Sequence, residues 1–399
     1  MRKTLTAAGM FVPLAVATAL AVPAQAAPTV VAPTVDVAPT VEVAPTVEVA
    51  QVTGQVVPGE YIVTLRQDAS GQDTARRAGI TARHTYTHAI TGFAAALTAG
   101  QLRALQHDRD VLAIEPNQVV HALTTQSPTP NWGVDRIDQR NLPLTNSYTY
   151  FAAGLGVTGY VIDTGIDPSH PDFGGRAAVG YDALGGNGID CNGHGTHVAG
   201  SLGSTTYGVA KRVRLLGVRV LNCQGSGTTS DVVEGIDWVR ANSPGPAVAN
   251  MSLGGGKSTV LDTAVNNLAN SGVFVAVAGG GSGTDACNFS PSGASGAFAV
   301  AASDRTDRVA SFNNNGPCIK LYAPGVQIPS TWLAGGVVTI SGSSMAAPHA
   351  AGVAAMYKSR FGDQPSATVA RWLITVSTKG VLIAVPPNTA NRLLHTNLI

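Results

Sequence analysis

The stretch LLGVRVLNCQGSGTTSDVVEGIDWVRANSPGPAVANMSLGGGKSTVLDTAVNNLANSGVFVAVA, residues 215–278, alternates two kinds of segment. Residues 215–221, 247–251 and 273–278 are short runs of almost wholly apolar side chains. Between them, residues 230–241 and 258–270 carry apolar positions at helical spacing. A strand buried on both faces reads as a continuous apolar run, and a helix normally carries the chain back to start the next parallel strand. Residues 157–162 form another such run upstream. The pattern predicts an α/β fold over residues 124–399: a parallel sheet flanked by helices.

The chain upstream of that region divides into three parts. Arg2 and Lys3 precede a mostly apolar run over residues 8–22, and Ala24-Gln25-Ala26 fits a small-x-small cleavage site. Residues 1–26 therefore read as an export signal and the protein as secreted, with no membrane attachment after signal removal. The run is too short for a spanning helix and is broken by Pro13 and Pro23. Next, Val31-Ala32-Pro33-Thr34-Val35-Asp36 recurs at residues 37–42 and 43–48. Proline at every sixth position prevents a helix, and the absence of large side chains prevents a core. Residues 27–55 thus read as an extended acidic spacer. Residues 56–123 read as a small α+β domain. Strands are expected at 60–65, 90–97 and 111–115, with a helix capped by Thr98 running through Leu102 and Leu105.

Bulk composition narrows the partners. The net charge is +1 and only 12% of residues are charged, which gives no reason to expect a nucleic-acid or acidic partner. The four cysteines, Cys191, Cys223, Cys287 and Cys318, form an even set in an exported chain, so two disulfides are expected. Three pairings remain open. Joining neighbours would close loops of about 30 residues, worth roughly 3–4 kcal/mol each by chain entropy. No Cys-x-x-Cys pair supports a zinc site.

Three motifs in residues 124–399 carry reactive groups. Asp163, in Val161-Ile162-Asp163-Thr164-Gly165, ends a predicted strand, where open parallel sheets face their ligand crevice. The Asp-Thr-Gly triplet also occurs in aspartic proteases, but those need a second carboxylate triplet and this chain has none. His194 sits among small residues in Asn192-Gly193-His194-Gly195-Thr196-His197. Its neighbour His197 lacks the acidic partner of a zincin motif. Ser344, in Ser341-Gly342-Ser343-Ser344-Met345-Ala346-Ala347-Pro348-His349, stands where a helix is expected to begin. There a serine is either a plain N-cap or a nucleophile beside N–H groups that stabilise a forming anion. Pro348 is expected within the first turn, where proline is tolerated. A lipase-like order of Ser344, Asp363 and His395 is the rival, but Ala346 replaces the final Gly of that nucleophile elbow.

Taken together, in the order Asp, His, Ser, these motifs resemble those of the subtilases, in particular the proteinase K and aqualysin branch. The resemblance covers nearly all of residues 124–399, and residues 61–120 resemble the family's inhibitory propeptide. It implies a serine endopeptidase with Asp163, His194 and Ser344 as catalytic triad, acting on protein or peptide substrates without a catalytic cofactor, as a monomer. Ser226-Gly227 and Ser252-Leu253-Gly254 match strands that pair with the substrate backbone. Gly254, Gly255, Gly279 and Gly280 imply a roomy primary pocket for apolar or aromatic side chains. The branch implies the pairs Cys191–Cys223 and Cys287–Cys318. The propeptide would assist folding, block the cleft and be removed near Leu123-Thr124 by the enzyme itself.

Two positions depart from the family. Gly281 stands where the family has an Asn whose amide donates to the oxyanion. The Ser344 backbone N–H is expected to remain, with the Ser343 hydroxyl where the family usually has Thr and a water or Ser282 as candidate substitutes for the missing donor. In subtilisin, losing that Asn costs roughly 2.7–4 kcal/mol. The sequence therefore implies a slowed protease, with a peptide-binding pseudoprotease of little turnover as the alternative. Lys320 aligns with an Asp that serves one calcium site in proteinase K relatives, so that site is expected to be absent. Asp135, Asp138, Gln139, Thr145 and Ser147 match a different calcium-binding stretch and offer the oxygen ligands calcium prefers.

Overall fold

The computed structural model describes residues 46–52, 56–118 and 124–399. The expected export signal, most of the spacer and Leu123 at the expected processing point lie outside those residues.

The chain forms two compact units. A four-stranded sheet is ordered His84–Tyr86, Gly92–Ala96, Val56–Leu65, Val111–Gln118. Helices Gly71–Arg77 and Ala99–Gln106 accompany it. The Thr98 cap is a full capping box: its hydroxyl accepts from Gln101 N, and the Gln101 side chain accepts from Thr98 N. Helix Gly71–Arg77, capped by Ser70, and the three-residue strand His84–Tyr86 are additions to the sequence expectation.

The larger unit holds a nine-stranded sheet. Its order is Thr378–Lys379, Arg392–Leu393, Ile319–Pro324, Phe298–Ser303, Phe274–Ala278, Ala247–Met251, Thr158–Asp163, Arg214–Arg219, Ala177–Asp182. Every neighbouring pair runs parallel except Thr378–Lys379 with Arg392–Leu393. Successive strand residues point to opposite faces, and the core divides accordingly. Val161, Val248, Phe274 and Ala276 pack with Val198 and Leu202 of helix His194–Gly203 and with Ala350 and Val353 of helix Ser343–Phe361. Ile162, Ala249, Val275 and Val277 pack with Val232 and Ile236 of helix Thr229–Ala241 and with Val265 and Leu268 of helix Thr259–Asn270. Thr228 and Ser258 cap these last two helices through their hydroxyls.

Helix Ser343–Phe361 is buried on nearly every side as far as Lys358, which suits its small residues and makes it the hub of one layer. Pro348 is its sixth residue, so the proline lies in the second turn rather than the first. That position has a consequence for the residue at the helix start.

Candidate active site

Asp163 is the last residue of strand Thr158–Asp163 and is fully buried. Its Oδ1 accepts from Thr164 N at 2.8 Å and from His194 Nδ1 at 2.7 Å. An ionised carboxylate has no proton to donate, so Nδ1 carries the hydrogen and Nε2 is left as an acceptor. Burial works against charge on the ring. The Asp163 carboxylate and, after it, Asp190 outweigh that effect and raise the His194 pKa above its ordinary 6.5.

The loop before His194 is organised by Asp190, a residue the sequence reading passed over. This carboxylate is buried and accepts five hydrogen bonds. They come from the backbone N–H groups of Asn192, Gly193 and Thr196 and from the hydroxyls of Thr164 and Thr196. Thr164 Oγ1 in turn accepts from Gly195 N at 2.9 Å. The residue after Asp163 and the loop before His194 are thereby bound together. Gly193 has φ 105° and leaves no space for a side chain, since a Cβ would lie 2.3 Å from the Trp332 ring.

Ser344 is the second residue of its helix. Its hydroxyl donates to Ser252 O at 3.2 Å, while the Ser252 hydroxyl donates to Ser344 O at 2.7 Å. An α-helix would ordinarily satisfy Ser344 O with the N–H four residues on. That residue is Pro348, which has none. The proline thus releases the carbonyl that Ser252 holds, and Asn250 Nδ2 steadies Ser252 Oγ from behind at 2.9 Å. Ser343 Oγ accepts from Gly280 N at 3.1 Å, tying the helix start to the turn after strand Phe274–Ala278.

Ser344 and His194 line two adjoining hollows of about 520 and 560 Å³ that share residues 252–256. The His194 hollow also takes in Ser226 and Gly227, and the Ser344 hollow Gly280, Gly281 and Phe312. Gly254 and Gly255 line both. Gly279 does not belong to the cleft wall as the sequence reading had it. A Cβ there would meet Ile319 at 2.6 Å and the Val300 carbonyl at 3.0 Å, so it faces the sheet core. Gly281 is exposed, and a Cβ there would find Phe312 O at 3.8 Å and nothing nearer. Gly280 differs, with φ 95° and the Asn314 amide 2.2 Å from where a Cβ would stand.

The other candidates fall into place around this centre. His197 is buried, and burial lowers its pKa to about 4. Its Nε2 donates to Ile328 O and Val338 O, so it is a neutral structural histidine. Asp363 pairs with Lys358 at 2.5 Å, and His395 Nδ1 accepts from Asn397 N, so neither is joined to Ser344. Cys191 is bonded to Cys223 and Cys287 to Cys318. Asn192, next to the first bridge, donates to Cys223 O and accepts from His194 N.

Of the candidate calcium ligands, Asp135 and Asp138 lie on helix Trp132–Asp138, Gln139 follows it, and Thr145 and Ser147 come from the loop beyond. Asp135 accepts from Thr145 N, Thr145 Oγ1 and Asn146 N, and Thr145 Oγ1 lies 2.9 Å from Ser147 Oγ. Asp138 accepts from Thr149 N at 2.6 Å. Gln139 donates through Nε2 to Asn141 O and Pro143 O, and its Oε1 is buried with no hydrogen-bond partner. An all-oxygen set with an unsatisfied member fits a hard cation such as calcium. Lys320 stands half-buried on strand Ile319–Pro324.

Comparison with known proteins adds a family context. Residues 154–393 match the subtilase family and residues 60–123 the peptidase inhibitor I9 family. The chain is 50% identical over 315 residues to the extracellular serine proteinase of Thermus sp. (strain Rt41A), covering 78% of this chain and 77% of that one. It is 47% identical over 318 residues to alkaline serine exoprotease A of Vibrio alginolyticus, covering 78% of this chain. It spans 59% of the length of that Vibrio relative. Among solved structures it is similar to a cold adapted subtilisin-like serine proteinase. There the identity is 49% and the TM-score 0.66, with 68% of this chain and 99% of that chain covered.

Proposed function

The chain belongs to the subtilase family of serine proteases, and on that premise we propose that it is a secreted endopeptidase, made as a self-processed zymogen, that cleaves peptide bonds with Asp163, His194 and Ser344. The observation that carries this reading is the 2.7 Å bond from His194 Nδ1 to Asp163. It fixes the tautomer in which Nε2 can accept a proton.

In this reading, Ser344 Oγ attacks the scissile carbonyl carbon and its proton passes to His194 Nε2. Asp163 stabilises the imidazolium so formed. As the tetrahedral intermediate collapses, the C–N bond breaks and His194 gives the proton to the leaving amine. Water then attacks the Ser344 ester, losing its proton to His194, and the carboxylate product leaves with Ser344 restored. The developing oxyanion is met by the Ser344 N–H at the start of a long helix whose dipole favours negative charge there. At Gly281 no side chain is available to add a second donor.

The remaining assignments follow from the same reading. Residues 1–26 direct export, 27–55 form the spacer and 56–123 the propeptide that occupies the cleft until cleavage near Leu123-Thr124. Residues 124–399 form the peptidase domain. Ser226, Gly227, Ser252, Leu253 and Gly254 pair with substrate backbone. Asp135, Asp138, Gln139, Thr145 and Ser147 hold a structural calcium, which braces the N-terminal helix of that domain and takes no part in the chemistry. Gly281 also favours a second reading, a pseudoprotease that binds peptides with little turnover. Casein hydrolysis by the wild type that is lost in Ser344→Ala supports the protease. Unaltered peptide binding with no hydrolysis in either supports the second reading.

A further inference from the structure

Residues 31–48 repeat one six-residue unit, and an acid closes each copy: Asp36, Glu42 and Glu48. Each copy and the residue after it place two valines around that acid: Val35 and Val37, Val41 and Val43, Val47 and Val49. Side chains alternate across a strand, so each such segment is written as a short strand with one apolar face. Ala-Pro separates one segment from the next, and proline interrupts a ladder.

The third segment lies among the described residues and shows this alternation. Val47 and Val49 are half-buried, and Thr46 and Glu48 are exposed. Val49 forms a parallel bridge with Ile114 of strand Val111–Gln118. That strand stands at one end of the four-stranded sheet, so a strand of the sheet flanks it on one side only. The unpaired N–H and C=O groups of such an edge are a template for an added strand. Val47 is held at both of its backbone groups by one residue. Its N–H donates to Gln106 O at 2.8 Å, and its carbonyl accepts from Gln106 Nε2 at 3.1 Å. Gln106 ends helix Ala99–Gln106, and its carbonyl is among the last four, which find no partner inside a helix. The segment thus completes a helix end and covers a sheet edge together. Glu48, turned outward, puts a charge on the new outer edge, which discourages pairing with a further chain.

We propose that the six-residue unit is a docking strand. Residues 46–49 add themselves to the edge of the small domain at Gln106 and Ile114, and the two upstream copies carry the same strand and take its place when the chain is shortened by whole units. The repeat then allows the tether to vary in length without loss of the strand. On the reading of residues 56–123 as a propeptide, the inhibitory domain begins at the third copy, ahead of the family-matched residues 60–123. That consequence rests on the proposed function, whereas the docking does not.

The test is residue-resolved amide hydrogen exchange of the full chain carrying Ser344→Ala, which removes the nucleophile of the proposed chemistry. Val35, Val41 and Val47 each follow Thr and precede an acid, so their intrinsic exchange rates are close and the chain contains its own controls. We expect the Val47 amide to exchange at least about tenfold more slowly than the other two. Gln106→Glu replaces the Nε2 donor with an acceptor facing Val47 O and should remove most of that difference. Deletion of residues 43–48 joins Glu42 to Val49 and should transfer the slow exchange to Val41. The docking is overturned if the three valines exchange alike in the undeleted chain, or if Gln106→Glu leaves Val47 as slow as before. The interchange of copies is overturned if Val41 stays fast after the deletion.

Discussion

Replacing Gly281 by Asn should raise turnover. The substitution restores a side-chain amide at the edge of the Ser344 hollow. The site admits it, because a Cβ at Gly281 meets nothing closer than Phe312 O at 3.8 Å and Phe312 Cδ2 at 3.9 Å. Gly281 is also not among the residues held at positive φ, so a side chain brings no backbone strain. One oxyanion donor is worth about 2.7–4 kcal/mol in subtilisin. Gly281 is exposed, so the new side chain must be ordered from a free state, which costs about 1 kcal/mol. The net gain is then about 2–3 kcal/mol, or on the order of 10²-fold in kcat. The assay is steady-state hydrolysis of a peptide anilide, with KM expected to stay nearly constant because the donor acts on the transition state. Gly281→Ala adds the Cβ without the donor and should leave kcat unchanged. An Asn variant that folds normally and turns over no faster than wild type refutes the oxyanion argument.

Three further outcomes follow from the geometry. The kcat/KM profile should lose activity on the acid side with a midpoint above 6.5, since protonated His194 cannot accept the serine proton and its pKa is raised. In Asp163→Asn only the weaker pull of Asp190 still opposes burial, so that midpoint should fall from its wild-type position while kcat drops by about 10⁴. A chelator should lower the melting temperature of the wild type, by an amount equivalent to about 2–3 kcal/mol if calcium is supplied near 100 times its Kd. Asp138→Asn should abolish most of that difference, and melts that coincide with and without chelator would remove the calcium site from the account.

Much of this architecture was legible because its signals are local. The apolar runs at 247–251 and 273–278 need no tertiary information to read as buried strands, and Ser258 and Thr98 announce helix starts by chemistry alone. Strand Phe298–Ser303 was harder. Its Phe-Ala-Val-Ala-Ala-Ser sequence carries no periodicity that separates a buried strand from a helix segment. Edge strand Ala177–Asp182 is interrupted by Gly180 and shows a register irregularity, so it lacks a continuous apolar run. At the candidate site, Asp163, His194 and Ser344 stand in motifs dense enough to notice. Asp190 does not, because the four residues that donate its five hydrogen bonds are spread over residues 164–196 and have meaning only once the loop is closed. The role of Pro348 was misjudged for a similar reason: its effect appears four residues earlier, on Ser344 O, and depends on Ser252 arriving just after strand Ala247–Met251. The inward face of Gly279 follows from strand register, which composition does not reveal.

The most direct test of the central claim is the intact mass and N-terminal sequence of the protein after expression. If Asp163, His194 and Ser344 form a working triad, the wild-type chain should yield a mature fragment beginning near Thr124, and Ser344→Ala should remain uncut at that point. A wild type that stays uncut beside a folded Ser344→Ala, or the same fragment from both, would contradict it.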